Sequence, residues 1–575
     1  MERLEIKKVK GKSYYYYSKW GWQNGKCRRL WQRYLGTVEA VIKKITESEE
    51  RQKVLYADVF QFGVPIALWN ESQHINLIEA IDKHSTKRNQ GLSIGQYIAI
   101  AAINRAHLVV SKQGIWEWFS RTSLMRKFSG ISEETLSSQH FWNTMEKIKV
   151  EDCREIWREI ITKVLHKEKI DLSSILYDGT NYYTFIDTFN AHSTLAKRGK
   201  NKQGRANLRQ INYSLFCTAD GHIPLLYDTY EGNRNDYAHF PTSLQKFQEF
   251  FKGMINREDI KEKTTLIFDK GNCSESNFEK IDDSEFYYVT SSRLDEHPEL
   301  ASISNQDKKF VQCSEDLERT KAFRTRKKVY EKERVVVVTY NANLFECQWK
   351  TLQADIEKAG LRLLEIRRKI EDRKNGLIKK GKALTPASIK AQCKEALSRE
   401  YLKEIITYTI DANANTVEKF NFTIDQEKLK KIADTYLGKN ILISNRELWS
   451  DEAIIRGYRS QYIIEEVFKE SKDRKTGTWW PQYHWTDSKI HVHALYCTIA
   501  LLLRALMKKR VENAGVKISM KRLLTELEGI REVVNVYSDK KTVKNRSETV
   551  LSRLSETQET LSGILGMFLK EKVAS

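Results

Sequence analysis

The stretch SSILYDGTNYYTFIDT, residues 173–188, decides how the chain is read. Its apolar opening ends on Asp178, and Gly179 follows at once. An apolar run of that length reads as a buried strand. An acid at the carboxyl end of such a strand, with glycine next, is where α/β sheets present groups to a ligand. The pattern returns in TTLIFDKGN (264–272), where Asp269 precedes Lys270 and Gly271. Taken singly, either acid reads more simply as a turn or helix cap. Between them RQINYSLFCTADGHIPLLYDTYEG (209–232) reads as strand and FPTSLQKFQEFFKGM as helix. SESNFEKI (helix) and EFYYVTSS (285–292, strand) come after. Three strands, a helix, a strand, a helix and a strand make a mixed α/β layer.

Upstream, residues 13–35 are aromatic and β-prone around Asn24-Gly25, a favoured hairpin pair, so residues 1–45 read as a β-hairpin region. Its Tyr and Trp side chains are expected to form a small core rather than a base-stacking surface. Residues 46–168 carry three-to-four-residue apolar spacing and read as a helical region, expected to bind DNA ends. The α/β layer occupies 169–299. Residues 300–445 read as an inserted α+β subdomain, with VVVVTY (335–340) as a strand and a helical seam at Leu352, Ile356, Ala359, Leu363, Ile366 and Ile370. Thr385 and Pro386 cap and start its second helix. Residues 446–512 return to the layer, and 513–575 read as a helical tail.

The return passes through YRSQYIIEEVFKESK (458–472). Read as one helix, Tyr458, Gln461, Glu465 and Lys472 share a stripe, while Ile463, Ile464, Val467 and Phe468 cover most of the rest. A narrow polar stripe on an apolar helix needs a partner: a protein charge, a metal or a phosphate. Asp178, Asp269 and Glu465 converging would be strongly destabilising without cations. Hard oxygen ligands suit magnesium or manganese.

Lys plus Arg number 97 against 76 Asp plus Glu, a net charge of +21, with 13 Trp and 26 Tyr in 575 residues. That balance favours a polyanionic partner, nucleic acid before membrane. The eight cysteines show no C-x-x-C pair, so neither a zinc site nor a disulfide framework is expected, and a reducing cytoplasmic compartment is. No apolar signal core opens the chain. ALYCTIALLLRALM, interrupted by Arg504, reads as a buried helix too short to span a bilayer.

YDGTNYY around Asp178, FDKGN around Asp269 and the Y-x2-Q-x3-E-x6-K series at 458–472 together resemble the signature blocks of DDE transposases of bacterial insertion sequences. The resemblance is narrowest to the branch with a tyrosine–arginine–glutamate–lysine motif, the IS-four group. KRGKNKQGRANLRQINYSL, YEGNRND and HWTDSKIHVHALYCTIALLL strengthen it. The 196 residues between Asp269 and Glu465 leave room for the insertion typical of that branch. The resemblance implies a ribonuclease-H-like fold, with Asp178, Asp269 and Glu465 as catalytic ligands of two Mg2+ ions, for which Mn2+ can substitute. It implies cut-and-paste transposition by a homodimer on the terminal inverted repeats and target DNA, in a nucleoid-associated cytoplasmic protein. Tyr458 and Lys472 would grip phosphates. Gln461 stands where the family has arginine, and glutamine cannot make a charged fork to phosphate. Glu466 is the rival to Glu465.

Two basic runs are expected to contact DNA backbone: Lys197, Arg198, Lys200, Lys202 and Arg205 in the first, and Arg324, Arg326 and Lys327 in the second. His484, His491 and His493 are expected in packing roles rather than as ligands. Two other readings stay open: a domesticated relative that binds DNA without cutting, and another ribonuclease-H-like nuclease.

Overall fold

The computed structural model describes residues 1–23, 26–49, 54–88, 90–252, 264–284, 286–381, 384–413, 416–480, 482–537 and 546–568. The chain divides into two compact units. The larger comprises Glu71–Trp116 and Gly130–Asn513. The smaller comprises Met1–Asn70, Glu117–Ser129 and Ala514–Ser575.

A nine-stranded mixed sheet organises the larger unit. Ser174–Tyr183 pairs antiparallel with Gln210–Thr218, and that strand with Pro224–Glu231. On its other edge Ser174–Tyr183 pairs parallel with Thr265–Phe268, which pairs parallel with Tyr287–Ser292. Lys439–Ser444, Lys332–Asn341, Thr320–Val329 and Val311–Gln312 then extend the sheet in antiparallel order. Tyr177 packs on Phe240 of the helix Asp236–Phe251 on one face. Tyr182, of opposite parity, stacks at 3.9 Å on Trp479 on the other. Both faces are therefore covered, as the unbroken apolar runs require.

The sheet takes in strands expected inside the insertion. Val335–Val338 are all buried, and such a run needs cover on both faces, which the centre of a large sheet supplies. What remains between Asn341 and Lys439 has its own core. Leu352, Ala359, Leu363, Ile366 and Ile370 of the helix Ala342–Lys374 are buried there with Ile389, Phe420 and Ile432, while Ile356 is partly buried. The Thr385 hydroxyl accepts from Ser388 N–H and caps Pro386–Ala396.

Among the described residues, Asp487–Asn513 is long and apolar enough to cross a membrane, and 94% of its most apolar window is buried within the fold. It is longer than the run read from sequence.

The smaller unit departs further from expectation. Residues 1–36 form a three-stranded antiparallel sheet, Glu2–Val9, Lys12–Gln23 and Lys26–Gly36, rather than a hairpin. The Asn24-Gly25 turn lies outside the described residues. Its aromatics are not a sealed core: Trp22, Trp31 and Tyr34 are exposed, because a single three-stranded layer cannot bury side chains from both faces. The expected helical tail contains the strands Arg531–Tyr537 and Arg546–Leu551 beside the helices Met520–Glu528 and Glu556–Ile564. Arg531–Tyr537 pairs with Val54–Gln61, itself inside the stretch read as helical. Partners so distant in sequence leave no local signature.

Candidate active site

Across the parallel strands Tyr177 pairs with Phe268, and Phe268 with Thr290. One residue further on, Asp178, Asp269 and Ser291 stand at one height on three adjacent strands, all on the face opposite Tyr177. The Asp178 carboxylate accepts from Gly179 N–H at 2.7 Å. Asp269 caps the short turn Lys270–Asn272, accepting from Gly271 N–H at 3.5 Å. Each acid therefore has a local role as well as a place in this row.

Burial pushes the Asp178 carboxyl up to about 7, with the negative charges of Asp236 and Asp269 adding to the rise; Lys202 and the Gly179 N–H oppose it. Removal from water, more than its acidic neighbours, thus sets the cost of ionising Asp178.

Asp236 is a neighbour that the sequence reading missed. Tyr230 OH donates to it at 2.7 Å and Lys202 Nζ at 3.1 Å, and Lys202 also donates to the Gly179 carbonyl at 2.6 Å. A Cβ at Gly179 would stand 3.1 Å from Asp236 Cγ, so any other residue would push Asp236 back by a few tenths of an ångström. The signal was present as the last residue of YEGNRND (230–236). Nearby, Gln210 Nε2 donates to Gly232 O at 2.6 Å and Asn181 Nδ2 to Lys200 O at 3.1 Å, pinning the basic loop to the sheet.

The 458–472 segment is two helices, Asp451–Arg459 and Tyr462–Lys472, not one. Ser460 closes the first: its N–H donates to Arg456 O and its hydroxyl to Gly457 O at 2.6 Å. The stripe is therefore offset rather than continuous: Ser460 and Gln461 keep right-handed helical backbone, but the bonds there tighten, Gln461 N–H reaching Tyr458 O and Ile463 N–H reaching Ser460 O. No proline or glycine at 460–461 announces the break. Gln461 is buried at the start of the second helix, while Glu465 and Glu466 are both exposed. The expectation of a carboxylate on the buried side fails, since Ile463, Ile464, Val467 and Phe468 fill it.

The break nonetheless leaves the segment over the acidic row. Tyr458 OH lies 2.7 Å from Ser291 Oγ, and the charges of both Asp269 and Glu465 reach it. Burial pushes its phenol up to about 12, so it stays a neutral donor. At the far end Lys472 Nζ donates to Thr180 Oγ1 and lies 5.4 Å from the Tyr182 ring. Burial, then the charge of Lys202, bring this ammonium down to about 8, against the pull of Asp178 and Asp236. The helix thus runs from the Asp269 side of the row to the Asp178 side.

Among the described residues no three His, Cys, Asp or Glu side chains form a group able to hold a metal. Asp178 and Asp269 are neighbours on the sheet, and Glu465 is exposed on the helix above, its charge reaching Tyr458 together with that of Asp269.

The basic runs differ. Lys197, Arg198, Lys200, Lys202 and Arg205 are exposed. Arg198 donates to Thr188 Oγ1 at 3.0 Å, and Arg205 lies 6.0 Å from the Tyr183 ring. In the second run Arg324 donates to the carbonyls of Trp449 and Glu447, both at 2.7 Å, and pairs with Asp451 at 3.2 Å. Arg326 pairs with Glu447 at 2.9 Å, and Lys327 with Glu299. These three are held by protein acceptors, which a phosphate would have to displace. The histidines pack as expected: His493 Nε2 meets Trp479 O at 2.9 Å, His484 meets His493 at 3.0 Å, and His491 meets Thr229 at 2.9 Å.

The transposase DDE domain family matches residues 184–503, more than half of the chain, with Asp269 and Glu465 inside the match and Asp178 just before it. No curated protein matches the chain. Among solved structures, the piggyBac transposase synaptic complex with hairpin DNA is similar at 8% identity, over 80% of this chain and 79% of that one, with a TM-score of 0.37. The extent of the domain match shows that this chain belongs to the DDE transposase family.

Proposed function

We propose that the chain is a cut-and-paste DNA transposase of the IS-four group with a ribonuclease-H-like core. One observation carries the reading: Asp178, midway along Ser174–Tyr183, stands beside Asp269, which directly follows the parallel strand Thr265–Phe268, beneath a segment bearing Tyr458, Glu465 and Lys472. The antiparallel run of three strands followed by two parallel ones supports the fold assignment.

The donors fit a hard divalent ion in kind, being carboxylate oxygens of two neighbouring acids, one of them held against ionisation by burial. In number the pair falls one short, so Asp178 and Asp269 are assigned as holders and Glu465 as the residue that completes the set when DNA is bound. Asp178 and Asp269 would hold a magnesium ion there, which would supply Lewis-acid chemistry at the reacting phosphate. Tyr458 offers a neutral hydroxyl and Lys472 an ammonium to the phosphates flanking the scissile bond. The exposed first basic run lies where backbone could follow.

The test is Glu465→Gln. It should bind element ends as the wild type does and fail to nick them in magnesium, while Glu466→Gln nicks normally. Normal nicking by Glu465→Gln sinks the assignment. The buried Gln461, which cannot stand in for the motif arginine, favours one second reading, a relative that binds ends and cuts weakly. In that case both variants and the wild type would share the same low nicking.

A further inference from the structure

Lys202 turns back from the first basic run to the strand that carries Asp178. Its N–H donates to Asn181 Oδ1 at 3.1 Å, and Asn181 Nδ2 donates to Lys200 O, also at 3.1 Å. The strand thereby fixes the backbone of the run at this point. From there Lys202 Nζ donates to Gly179 O at 2.6 Å and to Asp236 Oδ2 at 3.1 Å. Asp236 is held in turn by Tyr230 OH at 2.7 Å, and the Tyr230 ring stacks on the buried His239 at 3.7 Å. A chance surface pairing would show neither the pinned backbone nor the second acceptor.

Two acids and two ammoniums meet on this side of the acidic row. The charges of Lys202 and Asp236 act on Asp178, and those of Lys202, Asp178 and Asp236 act on Lys472. With both acids ionised the four charges cancel, so a divalent ion arriving there meets two ammoniums that already hold the acids. One ammonium has to give way, and the two are not equally bound. Lys472 is half-buried, with its Nζ on Thr180 Oγ1 and 5.4 Å from the Tyr182 ring. The Lys202 side chain is 47% exposed. Because its backbone is pinned separately, the head of Lys202 can swing out without moving the loop.

We infer that Lys202 couples DNA docking to metal loading. In the free chain its ammonium is the counter-ion of Asp178 and Asp236. A DNA phosphate that draws the ammonium away leaves those charges to a divalent ion. Linkage makes the effect reciprocal, so that a bound ion favours the swung-out lysine and with it the phosphate. This role rests on the divalent-ion centre proposed above, and adds to it the residue that opposes the ion until DNA arrives.

Manganese(II) binding to the full chain without DNA, read from the electron paramagnetic resonance signal of the free ion, tests this. Lys202→Met keeps the length of the side chain and removes its charge. It should bind manganese about tenfold more tightly than the wild type, the order expected when one unit charge is removed beside a divalent ion at a half-exposed site. Lys202→Arg keeps the charge and should bind as the wild type does. Lys252→Met removes the same charge at the far end of the helix that Asp236 begins, about 24 Å away, and should change the affinity less than twofold. Calcium should tighten duplex binding by the wild type, in fluorescence anisotropy, by a larger factor than binding by Lys202→Met. A Lys202→Met chain that binds manganese no more tightly than the wild type overturns the inference. So does weaker binding by both variants at residue 202, the mark of a structural strut. Asp178→Asn marks the site: wild-type manganese binding by that variant overturns the divalent-ion centre itself. Lost binding in Asp178→Asn with no tightening in Lys202→Met overturns the role of Lys202 alone.

Discussion

Asp178→Asn isolates the electrostatic cost of the site. Burial, assisted by Asp236 and Asp269, raises this carboxyl from its ordinary 3.8 to about 7. Between those two values the folded chain keeps a proton that the unfolded chain has released. Stability therefore falls as pH rises through that window, and the loss is complete above about 7. Three pH units at about 1.4 kcal/mol each cap the cost at about 4 kcal/mol, and solvent reaching the carboxylate lowers it. Asparagine keeps an oxygen for Gly179 N–H and carries no charge. The variant should therefore be about 2–4 kcal/mol more stable than the wild type at pH 8, and within about 1 kcal/mol of it at pH 4. Urea unfolding of both proteins at the two pH values, with divalent ions chelated, measures the difference. Adding magnesium at pH 8 should then stabilise the wild type more than the variant, because only the wild type has a charge to neutralise. An equal difference at both pH values, or a variant less stable at pH 8, would refute the argument that Asp178 is held against its own ionisation.

Lys472 stands at about 8, so its positive charge disappears as pH rises past that value. End binding by the wild type should weaken between pH 7 and 9, and Lys472→Ala should abolish that step and lower the salt slope by about 1; salt titrations at the two pH values check both. Arg324 donates to two carbonyls and pairs with Asp451. Arg324→Ala should cost about 2 kcal/mol of stability by denaturant titration and leave end affinity within twofold, so weakened binding at full stability would restore its assignment to DNA.

The sequence by itself determined the local elements and the chemistry attached to them. The apolar runs before Asp178 and Asp269 read as buried strands because each is apolar on both parities; Asp269 does follow its strand's carboxyl end, whereas the strand of Asp178 runs on to Tyr183. The seam from Leu352 to Ile370 specified a helix with one buried face for the same periodic reason. Thr385-Pro386 marked a helix start through the hydrogen bond that its hydroxyl can make. Tertiary structure alone decided which elements become neighbours. Val335–Val338 belongs to the large sheet because Lys439–Ser444, about 100 residues away, supplies one of its edges. Arg531–Tyr537 is a strand because Val54–Gln61 is there to pair with it. Asp236 joins Asp178 through the space left by a glycine, a contact with no periodicity to reveal it. At Ser460–Gln461 the hydrogen bonds tighten from four residues to three, and Glu465 lies on the exposed side of the helix that follows. Periodicity is a property of one segment. Which charges face one another depends on how distant segments pack, and only the folded chain specifies that.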